Sequence, residues 1–476
     1  MAAIRFILNG QERSIEGPHP TTTVLNHLRG HERLTGTKEG CAEGDCGACT
    51  VVLSEPDGAG AIRRRAVNAC ILFLPALHGR AIETVEGLSG DHPVQRAMVD
   101  LHASQCGFCT PGFVMQLYAA WLGEGLENRQ AVKDTIAGNL CRCTGYGPIV
   151  DAGLAASHEP RPDRAAHDAA LAARLSRLRG QDVFDYAGGG GRWFSPTHVD
   201  DLADLYAELP QARLVAGATD VGLWVTKQHR DLPLLIDVSR VADLAHIEEG
   251  PAALYFGAAV THSAAARRLA EIHPDLGELM RRFAGHQVRN AGTVGGNIAN
   301  GSPIGDLPPA LIALGATLHL RRGDEARQMP LEDFFLEYGK QDRRPGEFVV
   351  AVEVPLLGEN DRYHASKISK RMDSDISAVM AAFRLSFDGA IVREARLAFG
   401  GMASTPKRAR AAEAALAGRR FDAAAVESAG AALAKDFEPL TDMRASRDYR
   451  LAAARNCLER FRLSLEGVPT RIAEVA

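Results

Sequence analysis

Eight of the nine cysteines in this 476-residue chain fall within its first 143 residues, and the remaining 333 residues hold one. Four thiolates that share one centre pin four points of backbone together, so this clustering limits the fold more than any other feature. The first set reads Cys41-x4-Cys46-x2-Cys49, with Cys70 after a 20-residue gap. That is the plant-type ferredoxin spacing, which brings four thiolates to a 2Fe–2S cluster. Gly40, Gly44 and Gly47 let the loop CAEGDCGAC turn its amides towards sulfur at low steric cost. A four-cysteine zinc knot is the alternative, although zinc sites pair two short hooks and Cys70 stands alone in VNACILF. The second set pairs Cys106-x2-Cys109 with Cys141-x-Cys143. Zinc competes more strongly there, because C-x2-C is a common hook. Cys457, in AARNCLERF, reads as an inert core residue on an amphipathic helix.

The length points to about three domains. With 54 Lys and Arg against 59 Asp and Glu, the net charge is −5, which supplies no electrostatic reason to expect nucleic acid. Arg5 interrupts the short apolar run at the start, so no signal peptide is expected, nor does any window approach the ~18 apolar residues of a spanning helix. A cytoplasmic chain without nucleic-acid or membrane partners is the expectation, and in that compartment clustered cysteines bind metal rather than form disulfides.

Asn9-Gly10 between two strand-like runs predicts a hairpin with a type I′ turn. Thr21 to Thr23 offer caps for a helix through VLNHLR. Thr110-Pro111 opens a second helix, on which Phe113, Val114, Leu117, Tyr118, Trp121 and Leu122 share a face. Asn128 caps a third, predicted to end at Gly138. If these last two pack antiparallel, the cysteine pairs of the second set meet. Residues 159–183, rich in Ala, Arg, Asp and Pro, read as an interdomain linker, and the four glycines of AGGGGR (187–192) as a flexible loop. Short strands alternate with helices from 193 to 358. Two strand-like runs, AVMAAFRLSF and AIVREARLAFGG, then precede Ala-rich helices.

Two glycine-rich stretches remain, LVAGATDVG (Leu214 to Gly222) and AGTVGGNIANGSPIGDLPP (Ala291 to Pro309). Such loops present amides to a pyrophosphate, or are simply turns, and spacing alone does not separate these readings. KISKRMDSDIS (Lys367 to Ser377) by itself reads as a solvated, charged face.

CAEGDCGACT, QCGFCTPGF and NLCRCTGYGPI closely resemble the tandem 2Fe–2S domains of the molybdenum hydroxylases, the family of xanthine dehydrogenase and aldehyde oxidase. LVAGATDVG and TVGGNIANGSPIGDLPP resemble the two FAD-contacting segments of the same family, whose flavin domain is of the vanillyl-alcohol-oxidase type. The resemblance runs through the whole chain. It implies a multidomain α+β architecture: a β-grasp ferredoxin-like domain (1–85), a helical 2Fe–2S domain (86–158), the linker (159–183), an FAD domain (184–358) and an α+β C-terminal domain like that of CO dehydrogenase flavoproteins (362–470). It assigns Cys41, Cys46, Cys49 and Cys70 to one 2Fe–2S cluster, and Cys106, Cys109, Cys141 and Cys143 to the other. Its FAD contacts fall on Leu214, Val215, Ala216, Gly217, Ala218, Thr219, Asp220, Val221 and Gly222, and on Phe283, Thr293, Gly296, Asn297, Asp306, Val349 and Lys367. This chain departs from many members at Ala218 (Asn), Gly305 (Ser) and Pro308 (Asn).

The resemblance also implies a function. With no room for molybdopterin-binding domains before Ala476, the chain looks like the small, electron-carrying subunit of a split xanthine dehydrogenase. Hypoxanthine or xanthine would be oxidised to urate at a molybdenum cofactor on a large partner subunit. Electrons would cross the two clusters to FAD and then NAD+, in a dimer of heterodimers. An equivalent subunit of an aldehyde or nicotinate hydroxylase is the alternative, and a zinc-stabilised scaffold without enzymatic activity the alternative of another class. No general base, and so no catalytic residue, is assigned to this chain.

Overall fold

The computed structural model describes residues 2–57 and 60–471. β1 (Ile4–Leu8) turns into β2 (Gln11–Ile15) through Asn9 and Gly10, with φ of 47° and 82°. Both values are positive, as a type I′ turn requires. The Thr23 side chain accepts from the Asn26 amide and starts α1 (Val24–Gly30). β3 (Thr50–Pro56), β4 (Ile62–Asn68) and β5 (Ala81–Glu83) complete a sheet in the order β2-β1-β5-β3-β4. Val24, Leu25 and Leu28 of α1 bury their side chains with Ile4, Phe6, Val51 and Leu53 of the sheet. This is the β-grasp module.

Four helices follow: α2 (Pro93–Asp100), α3 (Thr110–Leu122), α4 (Arg129–Thr135) and α5 (Gly147–Ser157). Five of the six predicted apolar positions on α3 are buried, Leu122 being half-buried. Asn128 caps α4 through the amides of Gln130 and Ala131. That helix stops at Thr135 rather than at Gly138. A Cβ on Gly138 would lie 2.0 Å from the Gln287 side-chain oxygen, so this glycine is there for close packing, not for a helix end.

The stretch read as a linker needs correction, because most of it is α6 (Ala165–Arg179). Leu175 of α6 is fully buried against Ile7 and Ala81, and Asp168 holds Arg64 through two bonds of 2.5 and 2.8 Å. Its apolar positions are few, which hides an amphipathic helix behind an Ala- and Arg-rich composition. The four-glycine run is likewise no loose loop. Gly188 pairs with Gly191 at the ends of β6 (Phe184–Gly188) and β7 (Gly191–Ser195), while Gly189 and Gly190 take φ of 56° and 89° in a two-residue turn. With β8 (Arg213–Val215) and β9 (Leu234–Asp237) they form a sheet ordered β6-β7-β9-β8. These elements belong to one compact unit, built of Met1–Leu202, Gln211–Ala242 and Ala284–Gly292.

A second unit comprises Ala203–Pro210, Asp243–Phe283 and Thr293–Ala476. Its first sheet joins β10 (Ile247–Glu249), β11 (Ala253–Gly257), β12 (Thr317–Arg322), β13 (Glu325–Pro330) and β16 (Phe348–Pro355), in the order β10-β11-β16-β12-β13. A short ribbon of β14 (Phe335–Glu337) and β15 (Lys340–Gln341) interrupts it in sequence. The helix Leu307–Leu314 is buried along its whole length, as its lack of polar residues demands. The second sheet is a meander of β17 (Asp361–Ile368), β18 (Val379–Asp388), β19 (Ile391–Gly400) and β20 (Lys407–Arg408). Cys457, 2% exposed on the helix Arg447–Leu465, packs with Phe383, Phe399 and Phe461 as an inert core residue. Among the described residues no helix is long and apolar enough to cross a membrane.

Candidate metal centres and flavin segments

Cys49 and Cys70 are 1% and 2% exposed, and Cys41 and Cys46 are half-buried. Cys41 lies within hydrogen-bonding reach of Cys46 and Cys70, and Cys49 within reach of Cys70. Two amides, of Glu43 and Cys46, donate to Cys41 Sγ at 3.4 Å each. Asn68 Nδ2 donates to Cys49 Sγ at 3.8 Å. The thiols of Cys46 and Cys70, helped by those amides, hold Cys41 far below the usual thiol range, and Cys70 is pushed up in return. Gly44 and Gly47, at φ of 79° and 68°, give the loop its left-handed turns.

In the second set Cys109 meets Cys141, and Cys106 meets Cys143. Burial, then the neighbouring Cys141 thiol, pushes Cys109 up to about 12. Thr144 N donates to Cys141 Sγ at 3.4 Å. Cys106 and Cys143 are exposed. The expected meeting of the two pairs thus occurs, within a four-helix module instead of a two-helix hairpin.

Four thiolates on one zinc ion sit about 3.8 Å apart, given tetrahedral geometry and a Zn–S bond of about 2.3 Å. Among the described residues no three of these sulfurs lie within 4.8 Å of one another. In the first set the sulfurs run in a chain, Cys46 to Cys41 to Cys70 to Cys49, and in the second they form two pairs, arrangements that a two-iron centre with two thiolates on each iron accommodates.

The two centres are joined through their ligand loops. Leu140 N donates to the carbonyl of Cys46 at 3.0 Å, and Leu140 immediately precedes Cys141. Asn139 Nδ2 donates to Gly47 O at 3.1 Å, and Gln287 Nε2 in turn donates to Asn139 Oδ1 at 2.8 Å and Thr50 Oγ1 at 3.0 Å. A Cβ on Gly112 of α3 would fall 2.2 Å from Gly47 O. Gly112, Asn139 and Gln287 hold the two cysteine loops in contact, Asn68 donates to a sulfur of the first, and sequence reasoning missed all of them. Asn139 stands two residues before Cys141, a signal of a kind. Gln287 is 148 residues away from Asn139 and offered none.

Leu214 to Gly222 leaves β8, turns through Gly217 (φ 77°) and Ala218 (φ 58°), and enters the helix Val221–Thr226. A Cβ on Gly217 would sit 1.8 Å from Ala291 O, so only glycine fits. The left-handed φ at Ala218 suits the Asn of many family members better than alanine, since Asn tolerates that region. The far end of the segment rests on the first metal centre. A Cβ on Gly222 would lie 2.9 Å from the carbonyl of Ile71, beside Cys70. Thr226 Oγ1 donates to Ala42 O at 2.7 Å and Lys227 Nζ to Cys41 O at 3.1 Å.

The other flavin candidates lie in the second unit. Thr293 is buried and its Oγ1 accepts from Gly296 N at 3.0 Å, starting the helix Val294–Asn300. Asn297 Oδ1 is buried with no hydrogen-bond partner, an orphan acceptor of the kind a bound ligand satisfies. Val349 is buried in β16, and the Phe283 ring lies 4.7 Å from that of His262. Asp306 and Lys367 hold each other: Lys367 Nζ donates to Asp306 Oδ2 at 2.6 Å and to Ser377 Oγ at 2.9 Å, and Ser377 Oγ donates to Asp306 Oδ1 at 2.5 Å. Lys367 is 3% exposed, so the charge run expected to be solvated buries its first residue in β17.

Four family models match in order. They are a 2Fe-2S iron-sulfur cluster binding domain (6–74), a [2Fe-2S] binding domain (84–154), the FAD binding domain in molybdopterin dehydrogenase (185–357), and the CO dehydrogenase flavoprotein C-terminal domain (364–465). Xanthine dehydrogenase of Drosophila subobscura is 34% identical over 461 residues, covering 84% of this chain and 34% of that protein. The chain thus spans about a third of the length of this relative. Among solved structures, a chain of carbon monoxide dehydrogenase from Hydrogenophaga pseudoflava matches at 30% identity and a TM-score of 0.53, covering 56% of this chain and 94% of its own. A chain of quinoline 2-oxidoreductase from Pseudomonas putida 86 matches at 28% identity and a TM-score of 0.52, covering 57% and 94%. With two 2Fe–2S domains and an FAD domain in this order, the chain belongs to the molybdenum hydroxylase family and carries its electron-transfer part.

Proposed function

We propose that this chain serves a xanthine dehydrogenase of the cytoplasm, taking electrons from a molybdenum cofactor on a large partner subunit and delivering them to NAD+. Cys106, Cys109, Cys141 and Cys143 would hold the entry cluster, and Cys41, Cys46, Cys49 and Cys70 the second. Leu214 to Gly222, with Phe283, Thr293, Gly296, Asn297, Asp306, Val349 and Lys367, would hold FAD. When bound, the clusters carry single electrons and the flavin pairs them for hydride transfer.

The observation that carries this reading is the position of the first cysteine loop between its neighbours. On one side its Cys46 carbonyl accepts from the residue before Cys141; on the other its Cys41 and Ala42 carbonyls accept from the helix that ends the first flavin segment. Those contacts support reading the loop as the middle carrier. The protein's own part is positional. Gly112 and Gly222 bring backbone to backbone without intervening side chains, Asn68 and the Glu43 and Cys46 amides donate to sulfur, and the Asp306–Lys367 pair holds a charged pair in a dry environment. Relatives named xanthine dehydrogenase support the purine substrate, and the family resemblance supports the domain boundaries and the dimer of heterodimers.

Purification of the chain with whatever partner accompanies it is the test. A red-brown complex with equal iron and sulfide, FAD and molybdenum, reducing NAD+ with xanthine, is expected. Turnover with an aldehyde or nicotinate and none with xanthine would reassign the substrate. Isolation from iron-replete cells with zinc and no flavin would overturn the reading altogether.

A further inference from the structure

His27, His31 and Glu32 take no part in the cysteine loops or the flavin segments. His27 sits on α1 and His31 closes that helix one turn later. Their rings stack at 4.8 Å with 19° between planes. Glu32 Oε1 lies 3.3 Å from His27 Nε2 and 3.7 Å from His31 Nδ1, and one ligand atom of each residue falls within 4.8 Å of the others. Two imidazole nitrogens and a carboxylate oxygen around one zinc ion stand roughly 3.4 Å apart, from bond lengths of about 2.0–2.2 Å and tetrahedral angles. The spacing absent from the cysteine sets is therefore nearly present here.

A second observation points the same way. His27 is 4% exposed, and its Nε2 is buried without a hydrogen-bond partner, although it faces Glu32. At 3.3 Å the Glu32 carboxylate is close enough to pair with that atom but is poorly aligned to accept a hydrogen bond from it. Arg13 Nε bonds both Glu32 oxygens, at 3.2 and 3.1 Å, and orients the carboxylate as outer-shell donors do. The site also lies at the C-terminal end of α1, the negative end of the helix dipole, which favours a cation.

We propose that His27, His31 and Glu32 form a binding site for one divalent transition-metal ion of the zinc class, separate from the cysteine centres. Imidazole ligands select that class over magnesium or calcium. His31, with its side chain 72% exposed, leaves coordination positions open to solvent.

The test is equilibrium titration of the tag-free, cluster-loaded chain with Zn2+ against a chromophoric chelator, while cluster absorbance is followed. Wild type should take up one Zn2+ with its cluster spectrum unchanged. His31→Ala and Glu32→Gln should each weaken that uptake at least tenfold. Unfolding midpoints without zinc establish that both variants are folded. A wild-type chain that competes for no zinc, or variants that bind it as tightly as wild type, would overturn the assignment.

Discussion

Gly112→Ala in α3 sets two physical effects against each other. Alanine is the better helix former, by about 1 kcal/mol in a helix interior. Yet the new methyl carbon would meet Gly47 O at 2.2 Å and Ala48 Cα at 3.1 Å. Carbon and oxygen need more than 3 Å, so the helix must back away by roughly 1 Å, and backbone has no rotamer by which to yield. Overpacking of this kind costs about 1–3 kcal/mol. The retreat also stretches Leu140 N to Cys46 O and Asn139 to Gly47 O, bonds worth about 1 kcal/mol each. The clash and the stretched bonds outweigh the propensity gain, leaving a net loss near 2 kcal/mol by these figures. Urea unfolding of the cluster-loaded protein, followed by circular dichroism and visible absorbance, measures it. Electron equilibration between the two centres, followed after a reducing flash, should slow while each cluster keeps its spectrum. A variant more stable than wild type, as helix propensity alone predicts, would refute the reasoning.

Three further outcomes follow from the same geometry. Lys367→Met leaves Asp306 charged and buried and should cost about 3–5 kcal/mol in thermal unfolding, part of which Asp306→Asn in the same chain should restore; a loss under about 1 kcal/mol would mean the pair is worth no more than a surface one. Burial depresses His78, His92 and His286 to about 4, whereas unfolded histidines titrate near 6.5. Between those values the unfolded chain binds the extra protons, so the unfolding free energy from urea titrations should fall as pH drops from 7.5 to 5, by at most about 2 kcal/mol per imidazole before solvent screening, and a flat profile would contradict the shifts. Asn68→Ala removes a donor to Cys49 Sγ and should move the first cluster's potential to more negative values in a titration monitored by electron paramagnetic resonance, with the second cluster's unchanged.

Local signals survived folding where the physics is local. Asn9-Gly10 takes its two positive φ values because no other residue pair turns a hairpin so cheaply, and Thr23 and Asn128 cap the helices they precede. Where partners decide, the sequence misled. Leu175 makes an ordered helix of an apparent linker only because Ile7 and Ala81 are there to receive it. Lys367 reads as solvated until Asp306 and Ser377, brought from 61 and 10 residues away, satisfy its ammonium group.

The division runs through the cysteines themselves. Their spacing determined that there are two sets of four and which residues belong to each, since loop length between ligands is a property of the chain. Only the tertiary structure brought the sulfurs of each set within reach of one another. It alone placed the Cys46 carbonyl on Leu140 N and set Cys41 and Ala42 against the helix after the flavin segment. Those are contacts between backbone groups, which every residue carries alike, so no choice of side chain could have announced them.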